Sequence, residues 1–260
     1  MPKKFTTSYI NATFERLPTE FNNFKIALVA DLHNANFSGE LEKAVIQEKP
    51  DIIAIAGDFV SFHNHIQNGV NFIKSVSHIA PVLYVNGNHE WRFKRYDLYK
   101  KALVDAGAIA LENEVYNIVR DNSTISFLGI SDPKFFSREK GANKKDNFKK
   151  EILNLSNSLE KDRFKILLTH RPEFFKFYAS CNIDLSLAGH AHGGQIRLPK
   201  IGALFADGQG FFPKYADGHK KIGNSHLVAS RGLGHTFRTP PRVFNKRELV
   251  FINILKQFTN

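Results

Sequence analysis

Three apolar runs near the start of the chain, residues 25–30 (KIALVA), 51–56 (DIIAIA) and 81–85 (PVLYV), each stop at a short polar cluster. The clusters are evenly spaced: 27 residues separate Asp31 from Asp58, and 30 separate Asp58 from Asn88. A run of five or six apolar residues between turn formers reads as a strand buried on both faces. Between the runs, Leu41, Ala44, Val45 and Glu48 recur at helical spacing until Pro50 stops them, and residues 69–78 read as a second helix. Strands and helices alternating at about thirty residues are the mark of parallel βαβ units. Such units return the chain to the same sheet edge each time, so the polar clusters that close the runs should meet.

Beyond this repeat, residues 96–106 read as a helix capped by Gly107. Residues 115–120 and 124–130 read as a hairpin around Asp121-Asn122-Ser123. Residues 134–148 are polar and irregular, which predicts a surface loop, and a helix is expected over 149–160. Two more apolar runs, 164–168 and 183–188, lead to Thr169-His170 and Gly189-His190-Ala191-His192. Late strands are expected at 226–229 and 249–255. No repeat, low-complexity tract or linker divides the chain. The expectation is one domain over residues 1–260, with an N-terminal extension (1–23) ahead of a core (24–255) built on two packed sheets.

Five clusters therefore close strands: Asp31-Leu32-His33, Gly57-Asp58, Gly87-Asn88-His89-Glu90, Thr169-His170 and Gly189-His190-Ala191-His192. In open α/β sheets the carboxyl edge is where ligands bind. Asp-x-His or Gly-Asp alone is most often a turn, but the ordered set points to a site for two metal ions. A bridging carboxylate must face two cations, and Asp58, behind a glycine, is assigned that role. Asp31 and His33 lie two apart, so in an extended segment their side chains share a side and can hold one ion together. His190 and His192 can each reach a different ion. Asn88 offers a neutral amide oxygen, and His170 completes the second site. On the same extended-chain reasoning His89 points away from Asn88, towards the substrate, as a hydrogen-bond or proton donor. Glu90 is expected to hold the His89 tautomer.

The single Cys181 excludes a disulfide within the chain and a cysteine-cluster metal site. The nitrogen and oxygen donors that remain suit manganese, iron, zinc or nickel, and suit calcium poorly. Two such ions activate a water and polarise a phosphoryl oxygen. The formal charge of +11, from 36 basic against 25 acidic residues, favours an anionic partner: a phosphate ester, an anionic membrane surface or nucleic acid. Nucleic acid ranks last, because the lysine pairs at 144–145, 149–150 and 220–221 form no stripe interleaved with aromatics. No apolar run approaches the roughly 18–20 residues of a membrane span, and the first residues lack an apolar signal core. A cytoplasmic location is the expectation, with peripheral membrane contact open on electrostatic grounds.

His63 and His65 follow the Asp58 cluster and are candidates for touching substrate, or are ordinary loop histidines. Arg171, beside His170, is a candidate phosphate clamp or a salt-bridge partner. Arg242 is a weaker candidate, Asp132 reads as a turn, and residues 198–224 are expected to shape the substrate pocket.

The ordered clusters resemble the signature of the calcineurin-like metallophosphoesterase superfamily: Asp-x-His, Gly-Asp, Gly-Asn-His-(Asp/Glu), a separate His, and Gly-His-x-His. The tail, Gly193-Gly194-Gln195 followed by Gly232-Leu233-Gly234 and Pro241-Arg242, is similar to the YkuE/YaeI-like branch. The resemblance implies a four-layer α/β/β/α sandwich of two mixed sheets flanked by helices. It implies one metal on Asp31, His33, Asp58 and His192, and another on Asp58, Asn88, His170 and His190, with His89 as the catalytic histidine. The implied activity is metal-dependent hydrolysis of a phosphodiester or pyrophosphate, and substrates across the superfamily run from nucleotides to lipid-like esters. Two other readings stand beside it: a scaffold that keeps the fold without catalysis, and a nuclease or nucleic-acid-binding protein. The complete ligand set argues against the first.

Overall fold

A computed structural model describes residues 4–61, 66–137, 143–235 and 241–258. The first half runs β1 (Thr6–Phe14), β2 (Phe24–Val29), α1 (Glu40–Glu48), β3 (Ile52–Ala56), α2 (Gln67–Val76), β4 (Val82–Val85), α3 (Asn88–Arg92), α4 (Tyr96–Asp105) and β5 (Ala108–Ala110). The second half runs β6 (Glu114–Arg120), β7 (Ser123–Gly129), α5 (Lys144–Asn157), β8 (Phe164–Leu168), α6 (Phe175–Ser180) and β9 (Leu185–Ala188). The short pairs β10 (Arg197–Leu198) with β11 (Gly202–Ala203), and β12 (Phe205–Ala206) with β13 (Gly210–Phe211), follow. The chain then forms β14 (Gly218–Ile222), β15 (Ser225–Ala229) and β16 (Glu248–Lys256).

Two six-stranded mixed sheets result. The first has the order β1-β16-β2-β3-β4-β5 and the second β14-β15-β9-β8-β7-β6. The strands carrying the polar clusters are parallel within each sheet: β2 with β3, β3 with β4, and β8 with β9. Side chains alternate along a strand, and the apolar set divides accordingly. Ile26 and Leu28 of β2 join Ile125 and Phe127 of β7, Ile166 and Leu168 of β8, and Leu185 and Leu187 of β9 in the layer between the sheets. Ala27 and Val29 turn outward onto Leu41, Val45, Phe72 and Leu103 of α1, α2 and α4. On the far side Leu128 and Leu167 meet Phe148 and Ile152 of α5 and Tyr178 of α6. The layers are therefore helix, sheet, sheet, helix, as the resemblance implies, and strands with apolar partners on both faces explain the unbroken apolar runs.

Residues ahead of Phe24, grouped outside the core on sequence, contribute β1, which pairs in parallel with β16 from Thr6 against Glu248 onward. Where they are described, at 134–137 and 143–148, the residues of the expected irregular loop are regular. Pro133–Ser137 is a 3-10 turn and α5 begins at Lys144, where the Asn143 side chain accepts a hydrogen bond from the Lys145 amide at 3.2 Å. The start of the helix expected over 149–160 was hidden because its first turn is wholly polar and Phe148 is the first residue it buries. β14 was also missed: its sequence, GHKKI, lacks apolar alternation, as an edge strand's can. No helix among the described residues is long and apolar enough to cross a membrane.

Phe127 is fully buried between the sheets, whereas Val119 on β6 is largely exposed. Phe127→Ala is expected to lower the unfolding free energy by about 3–5 kcal/mol, and Val119→Thr to change it by less than about 0.5 kcal/mol. Urea denaturation checks both. An unchanged midpoint for Phe127→Ala would contradict the layered core.

Candidate metal centre

The carboxyl ends of β2, β3 and β4 deliver Asp31, Asp58 and Asn88 from one sheet. Those of β8 and β9 deliver His170, His190 and His192 from the other. The edges are tied together by backbone groups. The His190 amide donates to both Asp31 carboxylate oxygens at 3.2 and 3.0 Å, and His170 Nδ1 lies 2.8 Å from the Ala56 carbonyl. Within one sheet, the Asp31 amide donates to the Gly57 carbonyl at 3.0 Å. Because Gly87 has no side chain, its backbone can pass the Asp58 amide; a Cβ there would stand 2.5 Å from that nitrogen.

Among the described residues, three groups of side chains come close enough to hold a cation: Asp31, His33 and His192; His33, Asp58 and His89; and Asp58, His170 and His190. Asp58 belongs to two of them. Its Oδ1 accepts the His89 amide at 2.8 Å. Its Oδ2 lies 3.3 Å from His170 Nε2, 3.8 Å from His89 Nε2 and 3.9 Å from His33 Nε2. His33 Nε2 and His192 Nε2 face each other at 3.2 Å. His192 thus stands with Asp31 and His33, and His190 with Asp58 and His170, on separate sides of Asp58. The donor set fits cations on a further count: Asn88 Oδ1 is buried without a hydrogen-bond partner, which is costly for a polar atom left alone.

The route to this convergence differs from the one expected. Asp31, His33, Asp58, His190 and His192 all have φ between 47° and 66°, the left-handed region that residues with a side chain rarely adopt. Asp31 and His33 meet because the chain coils at the strand end, so the shared side of an extended segment is not the cause. Asn88 and His89 open α3, so the alternation expected of an extended segment does not apply to them either, and the His89 ring lies 4.6 Å from that of His33.

Glu90 requires a correction. Its Oε1 accepts the amides of Phe59 and Val60 at 2.7 and 3.1 Å, and its Oε2 those of Asp58 and Gly87 at 3.0 and 2.8 Å. Both oxygens are taken up by backbone, so Glu90 clamps the β3 and β4 loops together; orienting His89 is not what these bonds do. Burial, with the nearby Asp58 carboxylate, pushes its pKa up to about 8. The four groups hydrogen-bonded to it all donate, however, and that cradle suits the ionised form.

Burial also pushes the Asp31 carboxyl up to about 7 and the His33 imidazole down to about 3. Burial, reinforced by Arg171 for His190 and by His33 for His192, holds those two rings well below the usual range. They are therefore neutral, the form with a lone pair to give. For Asp58 burial acts upward, but His170, His89 and His33 outweigh it and keep the carboxylate well below its normal value. The same partnership runs in reverse at His170, where Asp58 overcomes burial and carries the imidazole up to about 10.

Arg171 is buried and does not line the cavity above the cluster. Its Nε donates to Asp132 at 2.5 Å, and its Nη1 lies 2.6 Å from His190 Nε2. That engagement favours the salt bridge over the phosphate clamp. Asp132, whose amide donates to Asn86 Oδ1 at 2.8 Å, does more than make a turn. Arg242 Nη2 lies 3.1 Å from His192 Nδ1, and Asn245 Nδ2 donates to the His192 carbonyl at 2.6 Å. Asn245 carried no sequence signal, since it lies 53 residues beyond the histidine it holds. His63 and His65 lie outside the described residues. The cavity, about 300 Å³, is lined by Asn88, His89 and Arg92 on one side and by Ile196, Leu204 and Phe205 on the other.

A model of the calcineurin-like phosphoesterase family matches residues 24–194. The chain is 28% identical to the metallophosphoesterase YkuE of Bacillus subtilis, over 92% of this chain and 81% of the relative. It is 26% identical to the phosphodiesterase YaeI of Escherichia coli, over 82% and 76%. In three dimensions it resembles a dimetal phosphatase from Danio rerio, with TM-score 0.52, 15% identity, and coverage of 81% of this chain and 88% of that one.

Glu90→Gln keeps the size of the side chain but turns an NH₂ group towards backbone donors. It is expected to cost about 1–3 kcal/mol of stability and to weaken metal binding about 10–100-fold. Denaturant unfolding and titration calorimetry with manganese measure the two. Wild-type values in both would remove Glu90 from the role of clamp.

Proposed function

Because the chain belongs to the calcineurin-like phosphoesterase family, we propose that it is a metal-dependent phosphoesterase acting on a phosphodiester or pyrophosphate, with two transition-metal ions held between its sheets. The observation that carries this reading is Asp58 Oδ2, which stands 3.3 to 3.9 Å from three imidazole nitrogens, with histidine pairs on either side of it. Asp31, His33, Asp58 and His192 would hold one ion. Asp58, Asn88, His170 and His190 would hold the other. The ions would supply Lewis acidity to a phosphoryl oxygen and acidify a water. The name of YaeI supports a diester as substrate.

The protein's own contribution begins with rigidity. Buried strand ends hold the carboxylates and imidazoles in place before substrate arrives, so little reorganisation accompanies the reaction. Burial keeps His33, His190 and His192 neutral, and Arg171 and Arg242, which reach His190 and His192, help set which ring nitrogen carries a proton. His89 lines the cavity and remains partly open to it. Burial lowers its pKa, so near neutral pH it acts chiefly as a neutral ring, donating its N–H to an ester oxygen. Arg92, on the same short helix, lines the cavity and would meet the negative charge of the phosphoryl group. In the net reaction the oxygen of water becomes bonded to phosphorus, the bond from phosphorus to the leaving oxygen breaks, and a proton from the water ends on that oxygen.

Hydrolysis of bis-p-nitrophenyl phosphate with added manganese tests the reading. The wild-type protein is expected to turn over, to stop when chelated, and to recover when manganese returns. His89→Ala should lower kcat by about 10²–10⁴-fold while retaining metal by elemental analysis. Asp58→Ala should lose both metal and activity. Equal turnover by the three proteins would refute the proposal.

A further inference from the structure

Seven of the fourteen exposed large hydrophobic residues among those described fall in residues 198–212 and 243–244. Phe211 is 71% exposed and Phe244 74%. Phe211 belongs to one of two short strand pairs that follow His192, and Phe244 lies beside the other. The β10–β11 and β12–β13 pairs are two-residue ladders, backed only by the small side chains of Ala191, Ala203, Ala206 and Ala216. Residues 243–244 lie beside the first pair: the Arg197 amide donates to the Val243 carbonyl at 3.0 Å, and Phe244 lines a groove with Leu198 and Ile201. The Phe211 ring meets Phe205 edge-on at 5.4 Å, and the Phe212 amide donates to the Leu204 carbonyl. Leu204 and Phe205 in turn form the apolar wall of the metal cavity. An apolar rim therefore runs from the cavity to the outermost phenylalanines. Exposure on this scale gives the fold nothing, and clustered exposed apolar residues mark a surface that is covered in use.

Charge indicates what covers it. Between Gln195 and Arg247 there are ten Lys or Arg residues and two Asp, a balance of +8 against +11 for the whole chain. Arg197 and Arg231 are already paired, with Asp217 and Glu248 at 2.9 Å each. Lys200, Lys214 and Lys246 stand exposed among the apolar residues. Phenylalanine in the acyl boundary with lysine at the headgroups is the arrangement an anionic bilayer accepts.

We propose that this rim docks on the surface of an anionic phospholipid bilayer and that the cavity takes phosphate esters of membrane lipids from it. The substrate half of the proposal rests on the phosphoesterase reading; the docking half does not. In the lipid reaction the oxygen of water joins the lipid's phosphorus, the bond to the leaving oxygen breaks, and the leaving oxygen takes a proton from the water.

Sedimentation of the full chain with vesicles provides the test, comparing phosphatidylcholine alone with a phosphatidylcholine–phosphatidylglycerol mixture. Wild-type protein is expected to pellet with the mixed vesicles, less with the neutral ones, and less as salt rises. The combined variant F211S/F212S/F244S should bind at least about tenfold more weakly, and Lys200→Ala, Lys214→Ala and Lys246→Ala about fivefold each. All of these variants should hydrolyse bis-p-nitrophenyl phosphate at the wild-type rate, which shows that they are folded. Release of water-soluble phosphate from the mixed vesicles should fall with binding. Wild-type protein that ignores both vesicle types, or triple-variant protein that binds as well as wild type, would overturn docking. So would light scattering that finds a dimer lost in the triple variant, because a second copy would then cover the rim. Vesicles bound but left intact by protein that cleaves the soluble diester would overturn the substrate half. Vesicles bound by wild-type protein that leaves the soluble diester untouched would refute the phosphoesterase reading and support docking.

Discussion

The sheet of apolar side chains between the two β-sheets sets the position of everything else in this molecule. Ile26, Leu28, Phe127, Ile166 and Leu187 are buried there, away from water. Their packing fixes how the β2–β4 strands lie against β8 and β9. Once that is settled, the carboxyl ends of both sets open on one edge, and residues 159 positions apart can share hydrogen bonds, as Asp31 and His190 do. Burial of hydrocarbon is non-directional, but the interdigitation of a packed layer is not.

That edge is an expensive place for a polypeptide. Five of the candidate ligands sit in left-handed backbone, at a cost of the order of 1–3 kcal/mol each. Carboxylates and imidazoles are held together out of water, a condition tolerated where charges are paired or coordinate a metal. Two devices hold the arrangement. Glu90 ties together the backbone of two loops, and Arg171, Arg242 and Asn245 reach the histidines from outside. Strain concentrated at the site and offset by the core is what a preorganised centre requires, because groups fixed in advance need not be ordered during the reaction.

The parts of the fold that sequence reasoning found are those in which one physical demand governs a whole segment. β3 must be apolar on both faces, so IIAIA reads as a strand without any partner in view. The ligand clusters were visible because each closes such a run. The local chain is silent where the signal comes from elsewhere in the molecule. The polar start of α5 looked like loop, β14 was lost in the 198–224 stretch expected to shape the pocket, and Glu90 beside His89 looked like its partner. Nothing in the local chain shows that Glu90 faces four backbone amides, or that Asp132 and Arg171, 39 residues apart, form an ion pair next to His190. The pairing of Asp31 with His33 was anticipated through a strand geometry that the backbone does not have.

By itself the sequence determined the strands that carry the site, their order in parallel units and the residue types delivered to the sheet edge, because periodicity and side-chain chemistry are local properties. Only the tertiary structure decided which oxygen of Asp58 faces the imidazoles, which histidine stands on which side of it, and which buried charges accompany them. Those outcomes depend on distances between segments remote in the chain, and such distances exist only after the apolar layer has closed.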